Sequence, residues 1–204
     1  MGRPRAFDAE RALDRALDVF WRKGFEGASL PDLTRAMGIN RPSLYAAFGN
    51  KEELFRKVLE RYVDGPAHYV REAYAAPTAR EVAQRLLFGA AELLTAPGRP
   101  RGCLVVQGAL ACGQEADGVR KELEARRAQS ELELRRRFER ARVERDLPAG
   151  ADPARLSQYV WTVIWGMAVK AAGGGTRDEL RAVAEVALQA FPAAARASRR
   201  PPRG

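Results

Sequence analysis

The sequence predicts an all-α protein of about nine helices, and three observations support this fold class. Apolar residues recur at helical spacing in successive stretches of the chain. Helix-start pairs precede several of these stretches, as where Ser29 stands three residues before Asp32. Clusters of Gly and Pro separate the stretches, as at residues 65–66 and 97–100.

Composition limits the class of protein further. The chain has 204 residues, of which 46% are hydrophobic and 30% are charged, which is enough to build a core and argues against disorder. No stretch approaches the roughly 18 uncharged apolar residues of a membrane span. Residues 1–9 lack the apolar segment of a secretory signal. We therefore expect a cytoplasmic protein with no membrane partner.

The net charge favours a polyanionic partner without identifying it. The chain carries +9 at pH 7, with a calculated pI near 10.1. Part of this excess lies in residues 193–204, which we predict to be a basic, disordered tail. Without its four arginines the rest of the chain carries +5. These arginines are Arg196, Arg199, Arg200 and Arg203.

Three short helices are predicted near the N-terminus. An apolar stripe over residues 8–23 predicts the first, with Gly24 as its left-handed C-cap. The capping pair at residue 29 predicts a second helix over residues 29–37. Residues 38–40 form a glycine-containing turn, and residues 41–48 form a third helix.

This arrangement is typical of a helix-turn-helix, whose second helix enters the major groove of DNA. Arg41 and Ser43 would face base edges at the N-terminal end of that helix, and Pro42 fits its first turn. Tyr45 could reach a phosphate or a thymine methyl group, and Lys51 lies at a helix start suited to a phosphate. The same spacing also fits an ordinary helical core in which Tyr45 packs, so the pattern alone leaves both interpretations open.

Residues 29–54 closely resemble the signature of the TetR/AcrR (tetracycline-repressor-like) family, whose run LYxxFxxKEEL matches residues 44–54. The resemblance implies that Tyr45 and Lys51 contact operator phosphates, that residues 41–43 face bases and that Phe48 is buried beneath them. It implies a TetR-like fold with two domains: a DNA-binding domain over residues 1–50 and an effector-binding and dimerisation domain over residues 51–192. The candidate DNA-binding residues are Ser29, Arg41, Pro42, Ser43, Tyr45 and Lys51.

The remaining helices follow from periodicity and breakers. Family resemblance implies that the first of them, from residue 51 to Gly65-Pro66, couples ligand to DNA. Arg135, Arg136 and Arg137 are interpreted as a paired helix surface with i,i+4 partners Glu131 and Glu133, rather than as a second DNA-binding patch. The other helices are predicted over residues 67–75, after Thr78, over 103–113 and 117–145, from Pro153 to the break at 173–176, and over 180–191.

The last two predicted helices are more apolar than one small core requires. A homodimer explains this surplus and supplies the two-fold symmetry that a palindromic operator in double-stranded DNA requires. The candidate interface residues are Val160, Ile164, Leu180, Val183, Ala187 and Leu188.

A pocket for an unidentified small-molecule effector is expected among the helices that follow residue 50. Aromatic side chains would form its walls and one glutamine would supply a polar group, although each of these residues also fits an ordinary core position. The candidates are Tyr69, Tyr74, Phe88, Gln107, Trp161 and Trp165.

Two cysteines raise the possibility of a thiol sensor. The sequence around Cys103 resembles relatives that sense electrophiles or copper, and Arg99 and Arg101 could lower its pKa. The alternative is a buried small residue, which we favour also for Cys112. Nine helical residues, about 13 Å of rise, separate the two and forbid a disulfide within one helix.

No catalytic, cofactor or metal motif is recognised. His68 is the only histidine, and residues 173–176 lack the spacing of a phosphate loop. We therefore expect that the protein is not an enzyme and needs no cofactor, and the family resemblance implies a ligand-released repressor. A constitutive architectural DNA-binding protein and, more remotely, a helical enzyme are the alternatives.

Overall fold

The structure, a computed structural model, describes residues 8–110 and 116–192. This part of the chain contains ten helices and no strand, so the predicted all-α class is confirmed. Cys112 and the arginines of the predicted tail lie outside the described residues. The helices are α1 (Ala9–Gly27), α2 (Leu30–Met37), α3 (Arg41–Phe48), α4 (Lys51–Asp64), α5 (Tyr69–Tyr74), α6 (Ala79–Leu94), α7 (Leu104–Leu110), α8 (Asp117–Val143), α9 (Pro153–Ala172) and α10 (Arg177–Ala190).

Side-chain caps fix where the helices begin. Ser29 and Asp32 form the predicted capping box of α2, and Thr78 caps α6. Asn50 with Glu53 caps α4 in the same way. These interactions satisfy backbone N–H groups that have no partner within the helix. Residues close in sequence therefore determine these boundaries.

The first helix departs from its prediction at Gly24. This glycine adopts φ 68° and ψ 179°, so it breaks the helix at the expected position. The chain then makes one further turn, to Gly27, instead of leaving the helix. Phe25 explains the extra turn, because its buried ring packs 5.2 Å from the ring of Phe55 on α4.

Buried apolar side chains form two clusters. The N-terminal cluster joins α1 to α4 and includes Phe20, Phe55 and Leu59. It also takes in Leu104 of α7 and Val119 of α8. The first four helices therefore share one core with the beginnings of α7 and α8, and that core extends past residue 50.

The C-terminal cluster lies among α6, α8, α9 and α10. Leu86, Leu87 and Phe138 are fully buried within it, and the Phe138 ring is 5.4 Å from that of Phe191. Because α5 and α7 also contribute residues to this cluster, six of the ten described helices form a helical body next to the N-terminal cluster.

Most of the predicted dimer residues are buried within the protomer. Four of the six lie inside the C-terminal cluster of a single protomer, with exposed fractions of at most 5%. Leu188 is half-buried against the same cluster, and only Val183 is exposed. An apolar residue in a helical stripe predicts burial without saying against what, so the dimer assignment stays a prediction. The four buried residues are Val160, Ile164, Leu180 and Ala187.

The expected ion pairs of the arginines on α8 are wrong. Arg135 pairs with Glu139 at 2.8 Å instead of Glu131. Arg137 turns inward and donates to the carbonyls of residues 74, 76 and 77, so it does not pair with Glu133. On the helix from Pro153, Val169 is 51% exposed.

None of the helices in the described residues is long and apolar enough to cross a membrane.

Candidate functional site

The third helix presents its polar side outward. Leu44 and Phe48 are buried and anchor α3 to the N-terminal cluster. Arg41 and Pro42 are exposed at its N-terminal end, and Tyr45 is 49% exposed. Tyr45 is therefore a surface residue, contrary to the alternative in which it packs into a core.

The turn before α3 is rigidly defined. Gly38 adopts the left-handed conformation, with φ 70°, and its N–H donates to the carbonyl of Arg35. The Asn40 side chain then accepts the N–H of Ser43 at 2.9 Å. This cap uses only the backbone N–H of Ser43, so the side chains in the first turn of α3 are not needed to hold the turn.

Lys51, at the first position of α4, lies against an aromatic ring. Its Nζ is 4.5 Å from the centroid of Phe25, in cation–π geometry. Burial lowers the pKa of Lys51, and the nearby carboxylate of Glu26 opposes that shift. The ammonium group is thus placed at the positive end of α4, where an anion is also favoured.

An ion pair joins the first two helices beside the candidate residue Ser29. Lys23 Nζ lies 2.8 Å from Asp32 Oδ2, and the Ser29 hydroxyl donates to the same oxygen at 2.7 Å. The Lys23 ammonium and the Ser29 hydrogen bonds lower the pKa of Asp32 to about 2. Ser29 therefore has a structural role as an N-cap in this structure.

The fourth helix is tied to α1 by a fork of hydrogen bonds. Arg61 donates to both carboxylate oxygens of Asp14, at 2.7 and 3.0 Å, and to Glu10 at 2.9 Å. Lys57 donates to the carbonyl of Ala47 near the end of α3 at 3.3 Å. A displacement of α4 would therefore be passed to α1 and α3.

A cavity of 510 Å³ lies behind α4, enclosed also by side chains of α5 to α9. Its size is within the range of small-molecule sites. Four of the six predicted pocket residues line it: Tyr69, Tyr74, Trp161 and Trp165.

The other two predicted pocket residues lie elsewhere. Phe88 packs against the C-terminal cluster, with Arg181 5.7 Å from its ring centroid. Gln107 donates to the carbonyl of Arg101 at 2.8 Å. Neither side chain lines the cavity.

Hydrogen bonds hold the cavity's aromatic rings in position. The carbonyl of Ser130 accepts from the Trp161 indole at 3.0 Å and from the Tyr74 hydroxyl at 3.3 Å. Trp165 stacks on Trp161, with ring centroids 6.1 Å apart. Burial raises the pKa of the Tyr69 and Tyr74 hydroxyls, so both stay neutral at pH 7.

Cys103 forms part of the cavity wall. Its Sγ accepts a hydrogen bond from the hydroxyl of Tyr62 at 3.4 Å, and the side chain is half-buried. The Arg101 guanidinium donates to the carbonyl of Gly175 at 3.2 Å. The cavity thus contacts a thiol and α4 at the same point.

A hydrogen bond that the sequence analysis missed joins this wall to the first helix. The indole Nε1 of Trp21 donates to the carbonyl of Gly102 at 2.9 Å, and both residues are buried. The ring of Trp21 also meets that of Tyr62 edge to face at 4.9 Å. A buried tryptophan N–H requires a partner, which was the one available signal, but nothing in the sequence identifies Gly102 as that partner.

No group of three or more metal-ligating side chains occurs within residues 8–110 and 116–192. His68 lies on the surface, 3.4 Å from Glu72. These two side chains do not make a metal centre.

The helix-turn-helix with its outward third helix defines a DNA-binding regulator, and comparison with known proteins supports this class. The chain matches the family model for "Bacterial regulatory proteins, tetR family" over residues 12–58. It matches the model for "Tetracyclin repressor-like, C-terminal domain" over residues 83–191. The protein belongs to the TetR family of transcriptional regulators.

Relatives resemble the chain over nearly its full length. The HTH-type transcriptional repressor ComR of Escherichia coli is 32% identical over 193 residues, which cover 94% of this chain and 92% of ComR. The HTH-type transcriptional repressor BdcR of the same species is 31% identical and covers 93% of this chain and 92% of BdcR. A cysteine mutant of the TetR family transcriptional regulator CifR, complexed with 26 bp double-strand operator DNA, is 46% identical. Its TM-score is 0.88, with 93% of this chain and 100% of that chain covered.

Proposed function

We propose that this regulator is a homodimeric repressor that leaves a palindromic operator when a small molecule fills the cavity behind α4. Tyr62 of α4 carries the proposal, because it lines the cavity and also packs against Trp21 of the N-terminal cluster. A ligand in the cavity that displaced the Tyr62 ring would therefore also disturb the packing of the N-terminal cluster. The printed names of ComR and BdcR as repressors, and the operator complex of CifR, support the assignment.

Arg41, Pro42, Ser43 and Tyr45 are the proposed operator contacts on α3. The side chains of Arg41 and Tyr45 have no ion-pair or hydrogen-bond partner among the described residues, so DNA would not have to displace an internal interaction. Lys51 would supply a phosphate contact from α4. Ser29 would act through its cap, which fixes the orientation of α2.

Exposed apolar side chains of the last two helices form the proposed dimer face, which includes Val183 from the predicted set. Val169 of α9 is 51% exposed, and Val183 and Val186 of α10 are 38% and 65% exposed. Burying these side chains against a second copy would remove apolar surface from water. Two-fold symmetry would then place two α3 helices about one DNA turn apart, about 34 Å.

Footprinting of the DNA next to the gene, followed by gel shifts with and without candidate compounds, tests the proposal. We expect a two-fold symmetric protected site and a compound that lowers operator affinity. Binding that no compound changes would instead support the constitutive architectural protein. Absence of a protected site would contradict operator binding itself.

A further inference from the structure

We propose that the effector of this protein is an anion with a flat aromatic body, and that Arg127 binds its acidic group. The inference names the ligand of the proposed effector cavity. Binding of this ligand is argued from the cavity itself, and only the release of DNA that it would cause rests on the proposed function. It depends on the unequal pairing of charges in the cavity wall.

The apolar part of the cavity determines the body of the ligand. The aromatic rings of Trp161, Trp165, Tyr69 and Tyr74 line the cavity, and the two indoles stack on each other. Offset stacking on such faces favours a flat ring over a branched aliphatic group. A volume of 510 Å³ leaves room for two fused rings and a short side chain.

Three arginines line the cavity, and two of them are already neutralised. Arg71 lies 2.8 Å from Asp64, and Arg126 lies 2.7 Å from Glu122. Arg127 has no carboxylate partner among the described residues and makes one long hydrogen bond, 3.5 Å, to the carbonyl of Val105. A half-buried guanidinium without a counter-ion is costly, so an incoming carboxylate would be strongly favoured there.

The other polar groups also suit a ligand that accepts hydrogen bonds. The Tyr69 hydroxyl and the Trp165 indole N–H have no hydrogen-bond partner among the described residues. Among the described residues, Glu133 is the one carboxylate that lines the cavity; it already accepts from the Gln129 amide at 2.8 Å and is exposed. Six helical residues separate Glu133 from Arg127, about 9 Å of rise, so a carboxylate at Arg127 avoids it.

Three probes of similar shape and different charge test the inference: naphthylacetate, naphthylacetamide and naphthylethylamine. None is an electrophile, so reaction with Cys103 does not contribute. Calorimetric titration of the full chain should show the carboxylate binding at least about tenfold more tightly than the amide or the amine. In R127Q this preference should disappear, whereas R127K should keep part of it.

The matched control is R136Q, which removes an exposed positive charge from the same helix outside the cavity. It should bind like the wild type, and circular dichroism should confirm that each variant is folded. Equal binding of the three probes, preference for the amine, a preference that survives in R127Q, or no binding of any probe would overturn the inference. Gel shifts without probes test operator binding independently, so the two proposals can fail separately.

Discussion

The indole nitrogen of Trp21 donates a buried 2.9 Å hydrogen bond to the carbonyl of Gly102, across 81 residues of sequence. Gly102 directly precedes Cys103 in the cavity wall, whereas Trp21 belongs to the cluster that supports α3. One hydrogen bond therefore joins the proposed ligand site to the proposed DNA-binding unit.

Removing this hydrogen bond should destabilise the protein. The variant W21F keeps an aromatic ring and leaves the Gly102 carbonyl buried without a partner. We expect a loss of about 1–3 kcal/mol in the free energy of unfolding, measured by urea denaturation. Y74F is the control and should cost less, because the Ser130 carbonyl to which its hydroxyl donates at 3.3 Å keeps the Trp161 indole as a donor. Equal stability of W21F and the wild type would show that the bond contributes nothing.

The ion pair between Lys23 and Asp32 should make stability depend on pH. Because the pKa of Asp32 is about 2 in the folded protein and about 3.9 in an unfolded chain, its contribution is present above pH 4. It is lost as the pH falls from about 4 to about 2. The variant K23Q keeps the Ser29 capping box, and its free energy of unfolding at pH 6 should be lower than that of the wild type. That difference should shrink towards pH 2, and a difference independent of pH would refute the assignment.

The proposed dimer face can be tested by a substitution that does not disturb the core of the protomer. Val186 is 65% exposed in the protomer, so V186E should leave the fold intact and place a charge in the interface. Sedimentation should then detect monomers. Val143 is 81% exposed at the end of α8, outside this face, and V143E should remain dimeric. A fully dimeric V186E would exclude this part of α10 from the interface.

Cys103 is either a thiol sensor or a small packing residue, and its place in the cavity wall allows a test of the two. A thiol in the cavity wall should react with N-ethylmaleimide, and the added group should lower operator affinity in gel shifts. C103S should be far less sensitive, and Cys112 remains in that variant as an internal control. If C103S responds like the wild type, Cys103 is a packing residue.

Local chemistry made the helix starts predictable. Each capping pair lies within four residues of sequence: Ser29 with Asp32, and Asn50 with Glu53. The glycine turn before α3 was predictable for the same reason.

Contacts between distant segments were not predictable. Apolar spacing placed Leu180 correctly in a buried stripe but could not tell a protomer core from a dimer interface. Aromatic composition suggested pocket walls, yet Phe88 lies outside the cavity while Arg127, which no motif marks, lies in its wall. Such contacts depend on how α8 packs across α5, α7 and α9.

Operator binding through α3 and Lys51 is tested most directly by fluorescence anisotropy of labelled operator and random DNA across salt concentrations. K51A should weaken binding to both DNAs and flatten the log–log salt dependence by about one unit for each half-site. R41A should instead cost about 1–3 kcal/mol on the operator and relax preference at one symmetric base position. K121A, on exposed α8, serves as control. Salt slopes and operator affinities of K51A and R41A equal to those of the wild type would contradict DNA recognition by this surface.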